Sequence, residues 1–473
     1  MNTHSSITKE LTWIDCAALI ITIILGTGIF VIFPKLAAAH NPSVVMILLF
    51  WIVGAFVAWC GAMCYAELAC LFPKNGGDYI FLREAYTYRG KTPVSFLFGW
   101  TQIFVIRPAS LMSLAIVFGM NVNIVFRHCC ETFYSITPTP GVSDAFITIS
   151  TLAVLFFFTT ICIIGLKTSK HVLNFITLIK LLCLLVLIFV GLYKGKDLFC
   201  NLTPLLPKES SSFFDLFKNL GMALIPIMWV FGGWNEAPYI AGELKDPIKN
   251  IPKALTVGLF SLGCLYLMIN FIYILHLTPE GLAHSWTFAS DLMRLWFGPQ
   301  GEVIMASVIL ISAAGAVNGL IFTGGRMTAA FSEDFILFRS LTFVNPKHKT
   351  PAAALWFNMI LCFILCGLVE CKADSIDKLL NFTAGVFWFF IALVVFSVFL
   401  FRKKYQKIPF KMPFFPLTPI VFIVMCGLML WGVMDYKPKE ALCGFGILLL
   451  GIPVYYIHSH SKKNLPAEKN QKT

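Results

Sequence analysis

The chain has 473 residues, of which 58% are hydrophobic and only 13% charged, and it carries a formal net charge of +12. An average soluble domain has about 25% charged residues, so this composition excludes an ordinary water-soluble enzyme or binding module. It predicts a polytopic membrane protein.

Twelve apolar runs follow one another along the chain, each long enough to cross a bilayer as a helix. They cover residues 13–39, 43–71, 94–122, 143–165, 171–193, 215–242, 253–276, 300–325, 351–370, 377–401, 414–433 and 440–457. The first run lacks a small-residue cleavage site, so we interpret it as a helix and not as a signal peptide. The predicted fold class is an all-α membrane protein with about 12 transmembrane helices.

Lysine and arginine are concentrated on one side of this predicted topology. The loops on the side of the two termini carry 23 of these residues, and the opposite loops carry 8. Positive charge marks the cytoplasmic side. We therefore expect cytoplasmic tails at 1–12 and 458–473. We also expect a location in the plasma membrane, which the charge distribution does not itself determine. The net charge then reflects topology and contact with lipid headgroups, and it does not indicate a nucleic acid partner.

The 15 cysteines lie mostly inside the predicted spans, where a thiol acts as a small apolar group. There is no CxxC pair, so neither a metal site nor a cofactor is predicted. Cys129, Cys130, Cys200 and Cys371 fall in loops predicted to be outside. There a cysteine either pairs with another chain or stays a free or intramolecular thiol. Asn201, in the sequon NLT, is a candidate glycosylation site.

Two of the spans carry glycines at a depth where a helix is normally continuous. Gly26 and Gly28 flank Thr27 in the first span, and Gly232 and Gly233 precede Pro238 in the sixth. Free backbone groups at this depth are tolerated where they line a cavity or meet a ligand. The two breaks lie in the first and sixth spans, so the starts of the two repeats are five helices apart, which predicts two inverted five-helix repeats, 13–193 and 215–401. The extracellular loop 194–214 joins them, and 402–457 adds helices 11 and 12.

The two predicted breaks also indicate the polar ends of a ligand. A half-helix N-terminus attracts a carboxylate, and a half-helix C-terminus attracts an ammonium group. A zwitterionic α-amino acid carries both groups, so we expect an amino acid substrate at mid-membrane.

Several long stretches resemble the amino acid–polyamine–organocation superfamily, in particular the L-type transporters that are light chains of heteromeric amino acid transporters. They are KELTWIDCAALIITIILGTGIFVIFPK, CYAELACLFPKNGGDYIFLREAY, IRPASLMSLAIVFG, FGGWNEAPYIAGELKDPIKNIPKAL, SAAGAVNGLIFTGGRM and NFTAGVFWFF. The resemblance implies the LeuT-like fold of two inverted repeats. It also implies which residues bind the substrate: Ile24, Gly26, Thr27, Gly28, Trp229, Val230, Phe231, Gly232, Asn235 and Trp388. Trp229 takes the place of the family's aromatic lid, and Trp388 that of the distal pocket wall.

The side-chain preference follows from what the implied pocket lacks. Relatives that take dibasic amino acids tend to have an acid at the position of Gly232, and others have an acid at the position of Asn235. Neither acid is present here, so the ammonium of a basic side chain would be buried without a partner. We therefore expect neutral substrates, with Val230 narrowing the pocket.

Charges inside the spans are candidates for coupling and gating. Lys180 resembles the family lysine beside the first helix, where sodium-coupled relatives bind an ion. It is either a structural cation, which argues against sodium at that site, or a group that titrates during transport. Arg107 and Glu67 are interpreted as packing or gating charges. Glu243, Lys245, Asp246 and Lys249 are predicted to form a cytoplasmic salt-bridge network.

The light-chain resemblance implies a partner. Cys130 occupies the place of the cysteine that forms a disulfide with a single-span glycoprotein heavy chain, and Cys129 beside it leaves the choice between the two open. A stand-alone permease is the alternative.

Three functions share these residues: sodium-independent exchange of neutral amino acids, proton-coupled uptake, and a sensor that binds amino acids without flux. An enzyme is not expected, because no set of catalytic residues shares a membrane depth.

Overall fold

The computed structural model describes residues 9–31, 44–135, 139–195, 223–276, 288–345, 348 and 350–463. These residues form helices and no strand. Among them, ten helices are long and apolar enough to cross a membrane: Trp13–Phe30, Val45–Leu71, Pro93–Tyr134, Pro140–Ile164, Lys167–Lys194, Pro247–His276, Pro299–Asp334, Ala373–Lys404, Leu417–Tyr436 and Pro438–His458. The shorter apolar helix Ala352–Leu368 and the interrupted segment 223–243 occupy the predicted ninth and sixth spans. The predicted all-α membrane fold is therefore confirmed.

The third and eighth spans are longer than the apolar runs that predicted them. The third span continues through a π-helical segment, Gln102–Ile106, into the helix Arg107–Tyr134, and the eighth span is Pro299–Asp334. Their ends are polar, so a search for hydrophobic runs stops before the helix does. Short helices at Asp78–Tyr86 and Phe288–Phe297 and a 3₁₀-helix at Ile336–Thr342 lie between spans.

The first and eighth spans form the centre of the helix bundle. In each, 72% of the most apolar 18-residue window is buried, whereas the value is 33% for the fifth and twelfth spans. Small residues permit the close approach of the two central helices. A Cβ atom at Gly315 would lie 2.6 Å from Thr22 Oγ1, and one at Gly319 would lie 2.6 Å from Ile23 Cγ1.

The two interrupted spans are joined at one end by backbone pairing. The amide of Leu11 donates to the carbonyl of Glu243 at 3.0 Å, and the amide of Lys245 donates to the carbonyl of Leu11 at 2.9 Å. Thr12 and Asp15 then start the first span as a reciprocal N-terminal cap. In the predicted topology this end lies on the same side as residues 9 and 463, the two ends of the described chain, and we call this side the predicted inner face below.

Gly99 offers a test of how tightly the third and eighth spans pack. A Cβ atom there would lie 2.1 Å from the ring of Phe331, which is itself wedged between Phe335 and Phe338 at centroid distances of 4.8 and 5.1 Å. We expect Gly99→Ala to cost about 1–3 kcal/mol, because the ring has no free space to enter. The apparent melting temperature in detergent, followed by size-exclusion chromatography, should fall.

The matched control is Gly427→Ala, on the eleventh span, where a Cβ atom would meet nothing within 4 Å. It should leave the melting temperature unchanged or raise it slightly, because alanine favours a helix over glycine. Equal losses in the two variants would contradict the predicted packing.

Candidate functional site

The first span is interrupted where the glycines predict it. Its helix ends at Ile24 and resumes at Gly28. The carbonyl groups freed by this break are hydrogen-bonded by side chains of two other spans. Tyr266 donates its hydroxyl to Ile24 O at 2.9 Å, and Ser312 donates to Leu25 O at 2.6 Å and to Gly26 O at 3.0 Å.

Lys180 supplies the remaining donor to this break. Its ammonium group donates to Thr22 O at 2.8 Å and to Leu25 O at 3.2 Å. The side chain is 2% exposed, and no acidic group in the described ranges forms an ion pair with it. The amine therefore lies at the carbonyl end of the half-helix, where the helix dipole favours a cation.

The sixth span is interrupted at the second pair of predicted glycines. Helix 223–230 ends in a turn at 231–233, and a 3₁₀-helix, Trp234–Glu243, continues the span. Gly233 has φ +118°, a left-handed conformation that favours glycine. Pro238 lies inside the 3₁₀-helix, where its missing amide removes one further hydrogen bond.

The two breaks lie against each other. A Cβ atom at Gly28 would be 3.2 Å from Val230 Cγ2, and one at Gly233 would be 2.7 Å from Ile23 Cγ2. A larger residue at either glycine would push the first and sixth spans apart. Partial exposure is confined to a few of the implied substrate residues, namely Thr27, Gly28, Trp229 and Gly232, whereas Ile24, Gly26, Val230, Phe231, Asn235 and Trp388 are buried.

Aromatic side chains surround the sixth-span break. Phe231 packs edge-on against Trp51 and Tyr266 at centroid distances of 5.9 and 5.2 Å. The ring of Trp388 instead lies beside that of Phe422, with a centroid distance of 6.5 Å, and Phe422 also packs edge-on against Trp234. Trp388 is thus connected to the interrupted sixth span through the eleventh span.

A buried ion pair that the sequence did not reveal joins the third and sixth spans. Arg107 Nη1 lies 3.2 Å from Glu236 Oε2 and also donates to Leu320 O at 3.3 Å. Glu236 stands inside an apolar span in the stretch WNEAPY. An acid at that depth is a signal for a basic partner, and Arg107 is that partner.

The predicted cytoplasmic network has different members from those expected. Glu243 forms a bidentate pair with Arg326 of the eighth span at 2.6 and 2.9 Å, and Asn75 donates to it at 2.9 Å. Lys245, Asp246 and Lys249 are exposed and form no ion pair with any described residue. The predicted grouping was wrong because neighbours in sequence at a helix end point into water, while Glu243 points into the bundle.

Glu67 forms a second connection on the same face. Arg402, at the end of the tenth span, binds it with two nitrogens at 2.7 and 2.6 Å, and the amide of Met412 donates to it at 2.7 Å. A third connection joins Arg83 to Asp334 at 2.7 Å.

The predicted outer cysteines do not all lie in loops. Cys129 and Cys130 belong to the last turns of the helix Arg107–Tyr134, which extends beyond the predicted span, and both are half-buried. Cys371 is buried rather than open to a partner. Cys200 and Asn201 lie outside the described residues.

Asp78 is a buried acid on the short helix after the second span. It is 1% exposed, accepts a hydrogen bond from the Tyr239 hydroxyl at 3.0 Å, and its Oδ1 has no partner among the described residues. Burial raises the pKa of Asp78 to about 7, although the nearby Tyr65 and Tyr239 hydroxyls lower it. The charge of Glu236 raises this pKa further, and that of Arg107 lowers it.

Comparison with known proteins agrees with this architecture. A family model described as amino acid permease matches residues 11–441. The chain is 28% identical to the b(0,+)-type amino acid transporter 1 of Mus musculus, over 98% of this chain and 91% of that protein.

Two further relatives cover nearly as much. The serine/threonine exchanger SteT of Bacillus subtilis is 29% identical over 95% of this chain and 96% of its own length. The large neutral amino acids transporter small subunit 2 of Homo sapiens is 28% identical over 95% of this chain and 80% of its own length. All three are named as transporters or exchangers, and none is named as an enzyme.

The raised pKa of Asp78 predicts how stability depends on pH. In the unfolded chain an aspartate has a pKa of about 3.9, so between this pH and about 7 the folded state binds the proton more tightly. Raising the pH through this window therefore destabilises the folded wild type. Asp78→Asn stays neutral, so we expect its melting temperature to gain on the wild type by a few degrees, about 2–5, between pH 5 and pH 8.

The control for this prediction is Asp246→Asn, which changes an exposed acid without an ion pair among the described residues. Its melting temperature should follow that of the wild type at every pH. A constant difference between Asp78→Asn and the wild type across the pH range would contradict the assignment.

Proposed function

The chain belongs to the amino acid permease family and is an amino acid transporter, and we propose that it exchanges neutral L-amino acids by alternating access without sodium. The observation that carries the proposal is the contact of the two broken spans, with Gly28 facing Val230. The amino acid would bind where Thr27, Gly28, Trp229 and Gly232 are partly exposed. Its carboxylate and ammonium groups would meet backbone groups of these partly exposed residues at the two breaks.

The preference for neutral substrates is supported by the residues near the sixth-span break, where the described acid is already paired. Glu236 is the nearest acid along the sixth span, and Arg107 already pairs with it. Asn235 is buried and uncharged, and Gly232 has no side chain. A lysine or arginine substrate would thus bury a positive charge without a counter-ion, which is costly.

Independence from sodium is supported by the position of Lys180. Its ammonium group binds Thr22 O and Leu25 O, and backbone carbonyls of a broken helix are the groups that coordinate Na⁺ in related folds. The Lys180 amine thus occupies carbonyl groups that a sodium ion would need as ligands.

Alternating access requires the predicted inner face to open and close. Glu243–Arg326, Glu67–Arg402 and Arg83–Asp334 each join different elements across this face, so all three pairs would separate on opening. The backbone hydrogen bonds of Leu11 with Glu243 and Lys245 join the two broken spans at the predicted inner face. These two span ends would therefore move together.

We further propose that both termini are cytoplasmic, that the protein resides in the plasma membrane, and that Cys130 is the attachment point for a single-span glycoprotein heavy chain. The first proposal rests on the distribution of lysine and arginine, 23 against 8. The last rests on the similarity to a relative whose name makes it a small subunit. SteT, named simply as an exchanger, represents the stand-alone alternative.

The purified chain in proteoliposomes tests the transport mode. Uptake of radiolabelled leucine is followed into vesicles that are empty or preloaded with unlabelled leucine, at equal and unequal pH, with and without sodium. We expect uptake only into preloaded vesicles, independent of sodium and of the pH difference. Gly28→Val, which presses on Val230, should abolish uptake, and Gly427→Ala should retain it.

Each other outcome selects a different function. Uptake into empty vesicles that an inward proton gradient drives would establish a proton-coupled permease and make Lys180 the first candidate for the coupling group. Leucine binding without flux under every condition would establish a sensor.

Gly232→Asp tests why the substrates are neutral. An acid at this partly exposed position would give a basic substrate the counter-charge that the wild type lacks. We expect the ratio of lysine to leucine exchange to rise at least about tenfold, equivalent to 1.4 kcal/mol of differential binding. Gly232→Asn has the same size without the charge and should leave the ratio unchanged, so an equal rise in both variants would contradict the explanation.

A further inference from the structure

Two thiols meet where the ninth span ends. Cys366 lies in the last turns of the helix Ala352–Leu368, and Cys371 lies in the turn before the helix Ala373–Lys404. Their sulfur atoms are 3.6 Å apart. We propose that Cys366 and Cys371 are a redox modification site and form an intramolecular disulfide in the mature protein.

The local backbone holds the two sulfur atoms in contact. The amide of Val369 donates to Leu365 O at 3.0 Å as the helix ends, and the amide of Lys372 donates to Glu370 O at 2.9 Å. This tight turn directs Cys371 back toward the helix. A disulfide needs an S–S distance of about 2.05 Å, so the sulfurs must approach by roughly 1.5 Å. Gly367 between them has open space around it, which allows the helix end to adjust.

The surroundings favour a disulfide over a metal site. Cys362, one turn earlier, is fully buried, and its thiol faces Pro108 O of the third span at 3.9 Å. Its thiol thus has a backbone carbonyl as its partner, whereas Cys366 and Cys371 contact each other. Within the described ranges, no group of three His, Cys, Asp or Glu side chains is arranged to hold a metal ion. Two thiols alone do not complete a zinc site.

The exposure of the two thiols sets the order of the reaction. Cys371 is 7% exposed, whereas Cys366 is partly exposed, so an oxidant reaches Cys366 first. The oxidant is a small-molecule or protein disulfide. The Cys366 thiolate attacks it, forms a mixed disulfide and releases one thiol. The Cys371 thiolate then attacks the Cys366 sulfur, closes the intramolecular bond and releases the second thiol, so the oxidant gains both electrons and both protons.

The inference rests on the proposed orientation, because this turn lies on the side opposite the predicted inner face. On that face it meets the oxidising lumen of the secretory pathway and then the cell exterior, where disulfides persist. The bond would leave Cys130 free to join a heavy chain. It closes a loop of only six residues, so it would restrain the connection between the ninth and tenth spans and have little influence on the whole fold.

Mass spectrometry of the full-length protein from membranes tests the bond. The unreduced protein is denatured, alkylated with N-ethylmaleimide and digested with trypsin, which releases residues 350–372 with all three thiols of this region. We expect this peptide to carry one alkyl group, on Cys362, and to be two hydrogens lighter. After reduction it should carry three alkyl groups.

Two controls accompany the experiment. Cys366→Ser should make Cys371 available for alkylation without reduction. Cys60 and Cys64 lie four residues apart on the second span, and the Cys64 thiol is directed to Met412 Sδ at 3.5 Å, so both should be alkylated in the unreduced protein. Three alkyl groups on the unreduced wild-type peptide, or a link from it to any other peptide, would overturn the inference.

A second arm separates this inference from the proposed orientation. Purified, fully reduced protein is treated with oxidised glutathione and digested in the same way, and a C-terminal tag is tested for antibody access in intact cells. The intramolecular bond should form in the purified protein, and the tag should be inaccessible. If glutathione fails to close the bond, the geometric inference is wrong; if the bond closes but the tag is accessible from outside, only the orientation is wrong.

Discussion

The broken end of the first half-helix is the constraint on which the centre of this protein depends. In a membrane interior, carbonyl groups without a hydrogen-bond donor are costly, and water is not available to supply one. Lys180, Tyr266 and Ser312 provide the donors. They come from the fifth, seventh and eighth spans, so satisfying a single helix end fixes how three helices are arranged around the first.

The same arrangement divides the polar groups at the breaks into two sets. The carbonyl groups of Thr22, Ile24 and Leu25 are occupied by side chains of the protein itself. Thr27 and Gly28 of the first break, with Trp229 and Gly232 of the sixth, remain partly exposed. Under the proposed function, the occupied carbonyl groups keep the first span interrupted when no substrate is bound. The partly exposed residues would determine which amino acids bind.

The sequence predicted features that depend on local composition. Apolar runs located the spans, and paired glycines located both breaks, because a helix or its interruption follows from neighbouring residues. It did not predict Arg107–Glu236 or Glu243–Arg326, whose members lie 129 and 83 residues apart. Such pairs depend on how helices pack. Cys371 lies in a loop as predicted but is buried, because loop position predicts access to water only when nothing folds over the loop.

Among the ion pairs between two described residues, those that join different elements lie on one side or in the interior of the bundle. In the described ranges, Asp15–Lys170, Glu67–Arg402, Arg83–Asp334 and Glu243–Arg326 connect elements at the predicted inner face, and Arg107–Glu236 lies deeper. The pairs toward the opposite face, Arg127–Glu131 and Glu370–Lys372, lie within one helix or turn and are exposed.

This distribution bears on how the proposed transport cycle would proceed. Separating a buried ion pair is strongly unfavourable when the two charges remain in a dry interior. The cost falls when water enters between them, which is what opening a path to the inner face provides. The paired charges therefore oppose a partial, dry separation more than a full, hydrated opening. A gate built from them would favour two distinct states over a continuum, and alternating access requires two such states.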